Sequence, residues 1–150
     1  MTRKKHQLGP LDALTGFHMR RAYGVFRRDF DRAVEGLGVR QVSLGVLSVI
    51  SANPGIKQGA VGTILDIQRA NMVSLIGELA EAGLVNRGED PTDRRAIALS
   101  LTQAGQDLLD ASLDRIDTHE AKLLTGFTAQ ERQQLTTMLD RVAANGNAED

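Results

Sequence analysis

The sequence contains no cysteine and no tryptophan, and only one tyrosine and four phenylalanines. Without thiols there are no disulfides, thiolate zinc sites, cysteine nucleophiles or thiol-based redox switches. With aromatic residues at 3% of the chain, the core must be built from Leu, Val, Ile and Ala. Also missing is any apolar run approaching the roughly 18 residues of a membrane span, because charges or glycines interrupt every stretch. The basic start, Met1-Thr2-Arg3-Lys4-Lys5-His6-Gln7, leads into no apolar secretory region. The expectation is a cytoplasmic protein without a membrane partner.

What remains is an ordinary globular composition, 41% hydrophobic and 25% charged over 150 residues. A chain of this size buries roughly 70% of its unfolded surface, enough for one self-standing domain spanning 1–150. The net charge of −1 hides a gradient: residues 1–40 carry +5, residues 41–101 carry −1 and residues 102–150 carry −5. Total charge therefore decides nothing about an anionic partner; the placement of individual arginines does.

Pro10 fits a first helical turn, and apolar residues from Leu11 to Leu37 recur near helical spacing, so one long helix is expected over 10–37, ended by Gly36 and Gly38. A second helix, about 40–52, is apolar nearly all round and belongs at the centre of the fold. Asn53-Pro54-Gly55 stops it. Two short helices follow, about 57–65 and 68–82, separated by Asp66-Ile67, and Gly83 caps the second. Leu84-Val85 and the alternating Ile97, Leu99, Leu101 read as two strands joined by a polar loop over 88–95. Thr102 caps a helix over 103–124. Thr128 and Glu131 form a capping box that opens the last helix, and the tail is expected to fray from Asn145.

Two short helices about a sharp turn, followed by a hairpin, is the element order of a winged helix-turn-helix. The fold class is thus mostly α with a small β-hairpin wing: a DNA-binding lobe at 39–101 between helices at 10–37 and 102–144. In the second short helix Met72, Leu75, Ile76 and Leu79 share one arc and pack inward. Ala70, Ser74 and Gly77 occupy the opposite arc, where small side chains let a helix sit deep in a major groove. Gln68, Arg69 and Asn71 stand at the N-terminal end, which reads bases and favours a phosphate. Taken alone, a small-residue face suits helix packing equally well. Arg94 and Arg95 lie on the loop beside Asp93; an arginine there suits the minor groove, with Asp93 holding it extended.

Ile56-Lys57-Gln58, Leu65-Asp66-Ile67-Gln68-Arg69, Leu79-Ala80-Glu81-Ala82-Gly83-Leu84-Val85, Asp90-Pro91-Thr92-Asp93-Arg94-Arg95 and Leu99-Ser100-Leu101-Thr102-Gln103-Ala104-Gly105 together resemble the MarR family of regulators (multiple antibiotic resistance). The resemblance implies an obligate dimer whose recognition helices enter successive major grooves of a pseudo-palindromic operator. It further implies that Arg95 reaches the minor groove, braced by Asp93. Ala70, Asn71 and Ser74 depart from residues common in the family, so the base preference differs.

Leu108, Leu109, Leu113, Ile116, Leu123, Leu124 and Phe127, with Leu135, Met138, Leu139 and Val142, exceed what one winged lobe covers, which points to a homodimer. Asp107, Asp110, Asp114 and Asp117 form an acidic helix face that reads as solvated surface, so no metal is expected. The resemblance also implies a small-molecule effector between the dimer helices and the DNA-binding lobe. His18, Arg21 and Tyr23 in the first helix suit an aromatic carboxylate. An acyl-CoA thioester, with Arg20, Arg21, Arg27 or Arg28 near its phosphates, is the second candidate. Alternatively, His18 and Tyr23 are core or interface residues and the arginines pair with Asp29, Asp31 or DNA phosphate.

His6, His18 and His119 are scattered, no nucleophile has a base beside it, and Gly36-Leu37-Gly38 follows a helix rather than a strand. No catalytic residue, enzyme activity or cofactor is expected. The expected function is a ligand-responsive DNA-binding repressor. The alternative is a dimeric winged-helix protein-interaction module without its own operator.

Overall fold

The computed structural model describes residues 8–92 and 96–147. Over these residues a 3-10 turn, six α-helices and a three-stranded antiparallel sheet follow in chain order. The 3-10 turn spans Gly9–Ala13 with Pro10 in its first positions, and α1 spans Thr15–Ala33. The single helix expected over 10–37 is thus broken at Leu14, whose backbone is extended (φ −93°, ψ 108°). His18 ties the two pieces together, with Nε2 2.9 Å from the Asp12 carbonyl oxygen. At its far end α1 stops at Ala33 rather than Gly36. The chain then unwinds through Gly36 and Gly38, both at positive φ (80° and 69°), a region that L side chains avoid.

Helix α2, Gln41–Ala52, lies at the centre, as its all-round apolar pattern requires; Val46, Leu47 and Ile50 are fully buried. The core gathers around it from Val61 of α3 (Gln58–Ile64), Met72 and Ile76 of α4 (Arg69–Glu81), and Leu99 and Leu109 further on.

The sheet has three strands where two were expected. Its order is β1 (Ile56–Lys57), β3 (Ile97–Leu101), β2 (Val85–Glu89). Ile56 pairs with Leu99, and Val85 and Glu89 pair with Leu101 and Ile97. The first wing strand begins one residue later than expected and runs on through Gly88 and Glu89, which the sequence placed in the loop. Leu84 is excluded from the strand because its N–H is spent on the end of α4, donating to the Leu79 carbonyl at 2.9 Å.

Helix α5, Gln103–Leu123, packs along α1 and α2. Three polar contacts hold it there: Ser51 Oγ donates to Gln106 Oε1 at 2.8 Å, Arg115 Nη1 to the Glu35 carbonyl at 3.2 Å, and His119 Nδ1 to Asp29 Oδ1 at 3.1 Å. On its acidic face Asp107 accepts from Gln103 and Asp110 from Gln106. Among the described residues no group of three or more metal-binding side chains gathers. Helix α6, Ala129–Asn147, continues past Asn145, where fraying was expected. Its first turn is closed by the capping box: Thr128 N and Oγ1 donate to Glu131 Oε2 at 2.8 and 2.9 Å. These two bonds, the backbone one first, hold the Glu131 carboxyl below the ordinary glutamate range. Leu135, Met138, Leu139 and Val142 lie exposed along α6. Among the described residues no helix is long and apolar enough to cross a membrane.

Candidate nucleic-acid interface

The turn between α3 and α4 is built by two residues with special backbone requirements. Asp66 adopts φ 50°, the left-handed conformation that Asp tolerates better than most side chains. Gly62 gives the turn its closeness: Ile67 N donates to the Gly62 carbonyl at 2.8 Å, and a β-carbon on Gly62 would come within 3.0 Å of the Ile67 carbonyl oxygen.

The turn delivers α4 with its inner arc sealed; Met72, Leu75, Ile76 and Leu79 are buried, as the spacing indicated. Gln68, Arg69, Ala70, Asn71 and Ser74 are all exposed. Gln68 takes the N-cap position with φ −56° and ψ 144°, and no side chain makes a capping hydrogen bond there among the described residues. The leading N–H groups are therefore open to an outside acceptor such as a phosphate. Val73 also stands on the outer face, 48% exposed.

An open cleft of about 780 Å³ lies between α3, the start of α4 and β3, with Lys57, Gln58, Gln68 and Arg69 in its lining. Ala96 and Ile97 of the wing complete its lining. Asp93, Arg94 and Arg95 lie outside the described residues. At the root of this loop Asp90 is only 7% exposed. Asp90 N donates to the Ala96 carbonyl at 3.2 Å, closing the loop, and Asp90 Oδ1 accepts from Thr92 N at 2.8 Å and from the Thr92 hydroxyl. Lys57 Nζ lies 3.8 Å from Asp90 Oδ2, so the wing root is tied to the residue that precedes α3.

The effector candidates divide. His18 meets the Phe17 ring edge-on at 6.0 Å, and the guanidinium carbons of Arg20 and Arg21 each lie 5.9 Å from the same ring centre. Tyr23 does not join them; five residues beyond His18 it is rotated by roughly 140° around the helix, and it is 57% exposed. Asp29 pairs with His119 rather than with an arginine.

Three features of this region escape the sequence. Arg40 Nη2 donates to Glu78 Oε2 at 2.6 Å, pairing a carboxylate on α4 with a cation 38 residues before it. Asp90 looks like one of several polar loop residues until its burial is known. Val73 passes for core by residue type and is shown to be surface by the packing of its neighbours.

Residues 36–96 match the MarR family profile. A putative transcriptional regulatory protein for the hcr operon of Thauera aromatica is 31% identical over 89% of this chain and 81% of its own length. The transcriptional repressor CouR bound to a 23-mer DNA duplex is 31% identical, covers 93% of this chain and 99% of its own, and superposes with a TM-score of 0.86. CouR from Rhodococcus jostii RHA1 bound to p-coumaroyl-CoA is 28% identical, covers 90% and 95%, and has a TM-score of 0.79. These relatives and this fold are those of transcriptional regulators, not of enzymes.

Proposed function

This chain belongs to the MarR family of transcriptional regulators, and we propose that it acts as a homodimeric repressor released from its operator by a small aromatic effector. One observation carries the DNA-reading part. The outer face of α4 is exposed, with small side chains at Ala70 and Ser74, and Gln68, Arg69 and Asn71 lead it on a helix start open to phosphate. Ala70, Asn71 and Ser74 enter the major groove, and Arg94 and Arg95, with Asp93 as brace, engage the adjacent minor groove.

The second copy covers the apolar residues left open on α6 and near the start of the chain, including Leu11, Leu14, Leu135, Met138, Leu139 and Val142. Effector binding changes the separation of the two recognition helices, so that they no longer meet half-sites about one helical turn apart. The aromatic carboxylate or acyl-CoA class is supported by the CouR complex with p-coumaroyl-CoA. It is supported too by the basic and aromatic cluster of His18, Arg20 and Arg21 around Phe17.

The test is gel-shift titration against the chain's own upstream DNA, with and without aromatic acids and their CoA thioesters. Binding tighter than to random duplex, reversed by one such compound that also raises the melting temperature, is the expected result. Arg95→Ala should weaken binding and flatten its dependence on salt. Affinity equal for upstream and random DNA would sink the operator reading.

A further inference from the structure

We infer that Val73 is a specificity-determining residue that reads the 5-methyl group of a thymine in each operator half-site. The inference rests on the reading of α4 as the recognition helix and deepens it. Helical rotation of about 100° per residue places Ala70, Val73, Ser74 and Gly77 within one arc of roughly 100°, opposite the buried arc of Met72, Leu75, Ile76 and Leu79. Within that outer arc Val73 is the only large apolar side chain, and it is 48% exposed; the other large residue there is the charged Glu81, at the far end of the helix. Ala70 ends at its β-carbon, Ser74 offers a hydroxyl and Gly77 offers nothing, so Val73 projects furthest of these four. It has no hydrogen-bonding atom, and the major-groove feature that an apolar side chain distinguishes is the thymine methyl. An exposed branched apolar residue on a reading face gains by covering that methyl and discriminates against cytosine, which lacks it. Its stiff χ1 limits the entropy lost on contact.

The experiment begins with selection of binding duplexes from a random pool by the full-length protein. Each selected thymine is then replaced by deoxyuridine, which removes the methyl and leaves the hydrogen-bonding edge intact. Wild type should lose about fourfold in affinity per half-site at one thymine position, and about fifteenfold when both half-sites are changed, as expected for one apolar carbon group uncovered. Val73→Ala uncovers no core and favours the helix. It should bind the thymine and uracil duplexes alike, and selection with it should lose the preference at that position alone. Equal sensitivity of wild type and Val73→Ala to every uracil replacement overturns the assignment while leaving operator binding in place. Failure of the wild type to enrich any sequence overturns the DNA-reading role of α4 itself, and the Val73 assignment with it.

Discussion

Gly105 lies against the backbone of Leu84 so closely that a β-carbon at position 105 would overlap the Leu84 carbonyl oxygen. That oxygen already accepts from Thr102 N at 3.0 Å, and Thr102 Oγ1 reaches both the Gly83 carbonyl and Gly105 N. The first turn of α5 is therefore welded to the root of the wing. Gly105→Ala should cost about 1–3 kcal/mol through this clash, read as a lower urea midpoint at unchanged slope. Gly77→Ala is the control, because an added β-carbon there meets nothing within 4 Å. It should be neutral or stabilise the helix by up to about 1 kcal/mol.

The Arg40–Glu78 pair is exposed on both sides, so its contribution to stability should stay below about 1 kcal/mol. Its effect on DNA binding should be larger. Arg40→Ala leaves the Glu78 carboxylate bare on α4, facing a polyanion, and should weaken duplex binding severalfold. Glu78→Gln in the same background should restore most of the loss. Fluorescence anisotropy with a labelled duplex measures both; an Arg40→Ala defect untouched by the second change would show that Arg40 acts by itself.

Asp90→Asn keeps the side chain's shape while removing the charge that faces Lys57 and weakening the bonds to Thr92. The wing root should loosen at a cost of about 1 kcal/mol. Duplex affinity should fall more than that stability loss explains. Amide exchange should quicken at Thr92 and Asp90 before it does in α2.

Leu139 should be a dimer residue. Leu139→Glu removes one apolar side chain from each copy, and burial of two leucines is worth roughly 3–6 kcal/mol. The dimer dissociation constant should rise by about 100-fold or more in sedimentation equilibrium. An unchanged constant would place the interface elsewhere.

Glu131 titrates below the ordinary glutamate value because Thr128 favours its charged form. A depressed carboxyl stabilises the folded state above its unfolded value and loses that stabilisation as pH falls through the folded value. The start of α6 should therefore loosen on acidification while remaining insensitive above neutrality. Carbon-detected NMR titration of Glu131 reports the midpoint. Thr128→Ala should move it only part of the way back, since the backbone N–H at position 128 remains.

The features legible in the sequence are those that local chemistry decides. Asp66 at φ 50°, Gly83 at φ 72°, the Thr128–Glu131 box and the buried arc of α4 each follow from a few neighbouring residues. What escaped depends on distant partners. Strand β1 is two residues long and is extended because β3 pairs with it, so no window of sequence reveals it. Arg40 and Glu78 lie 38 residues apart, and Asp29 and His119 lie 90 apart. The break at Leu14 was hidden for another reason: apolar residues recur across it as though the helix were continuous. In α4 the spacing separated the buried arc from Ala70 and Ser74 but drew no attention to Val73, whose exposure only the packing reveals.

The strand order bears on how the protein is made. Strand β3 lies in the middle of the sheet, yet it is the last of the three to leave the ribosome. Until residue 101 has emerged, neither β1 nor β2 has a partner, and the carbonyl of Leu99 is not there to receive Gly55 N, the 2.8 Å bond that sets the entry to α3. The lobe therefore closes in a single late event rather than helix by helix. A chain truncated between β2 and β3 keeps the helix-turn-helix sequence intact but leaves both outer strands unpaired, a target for proteolysis and for aggregation.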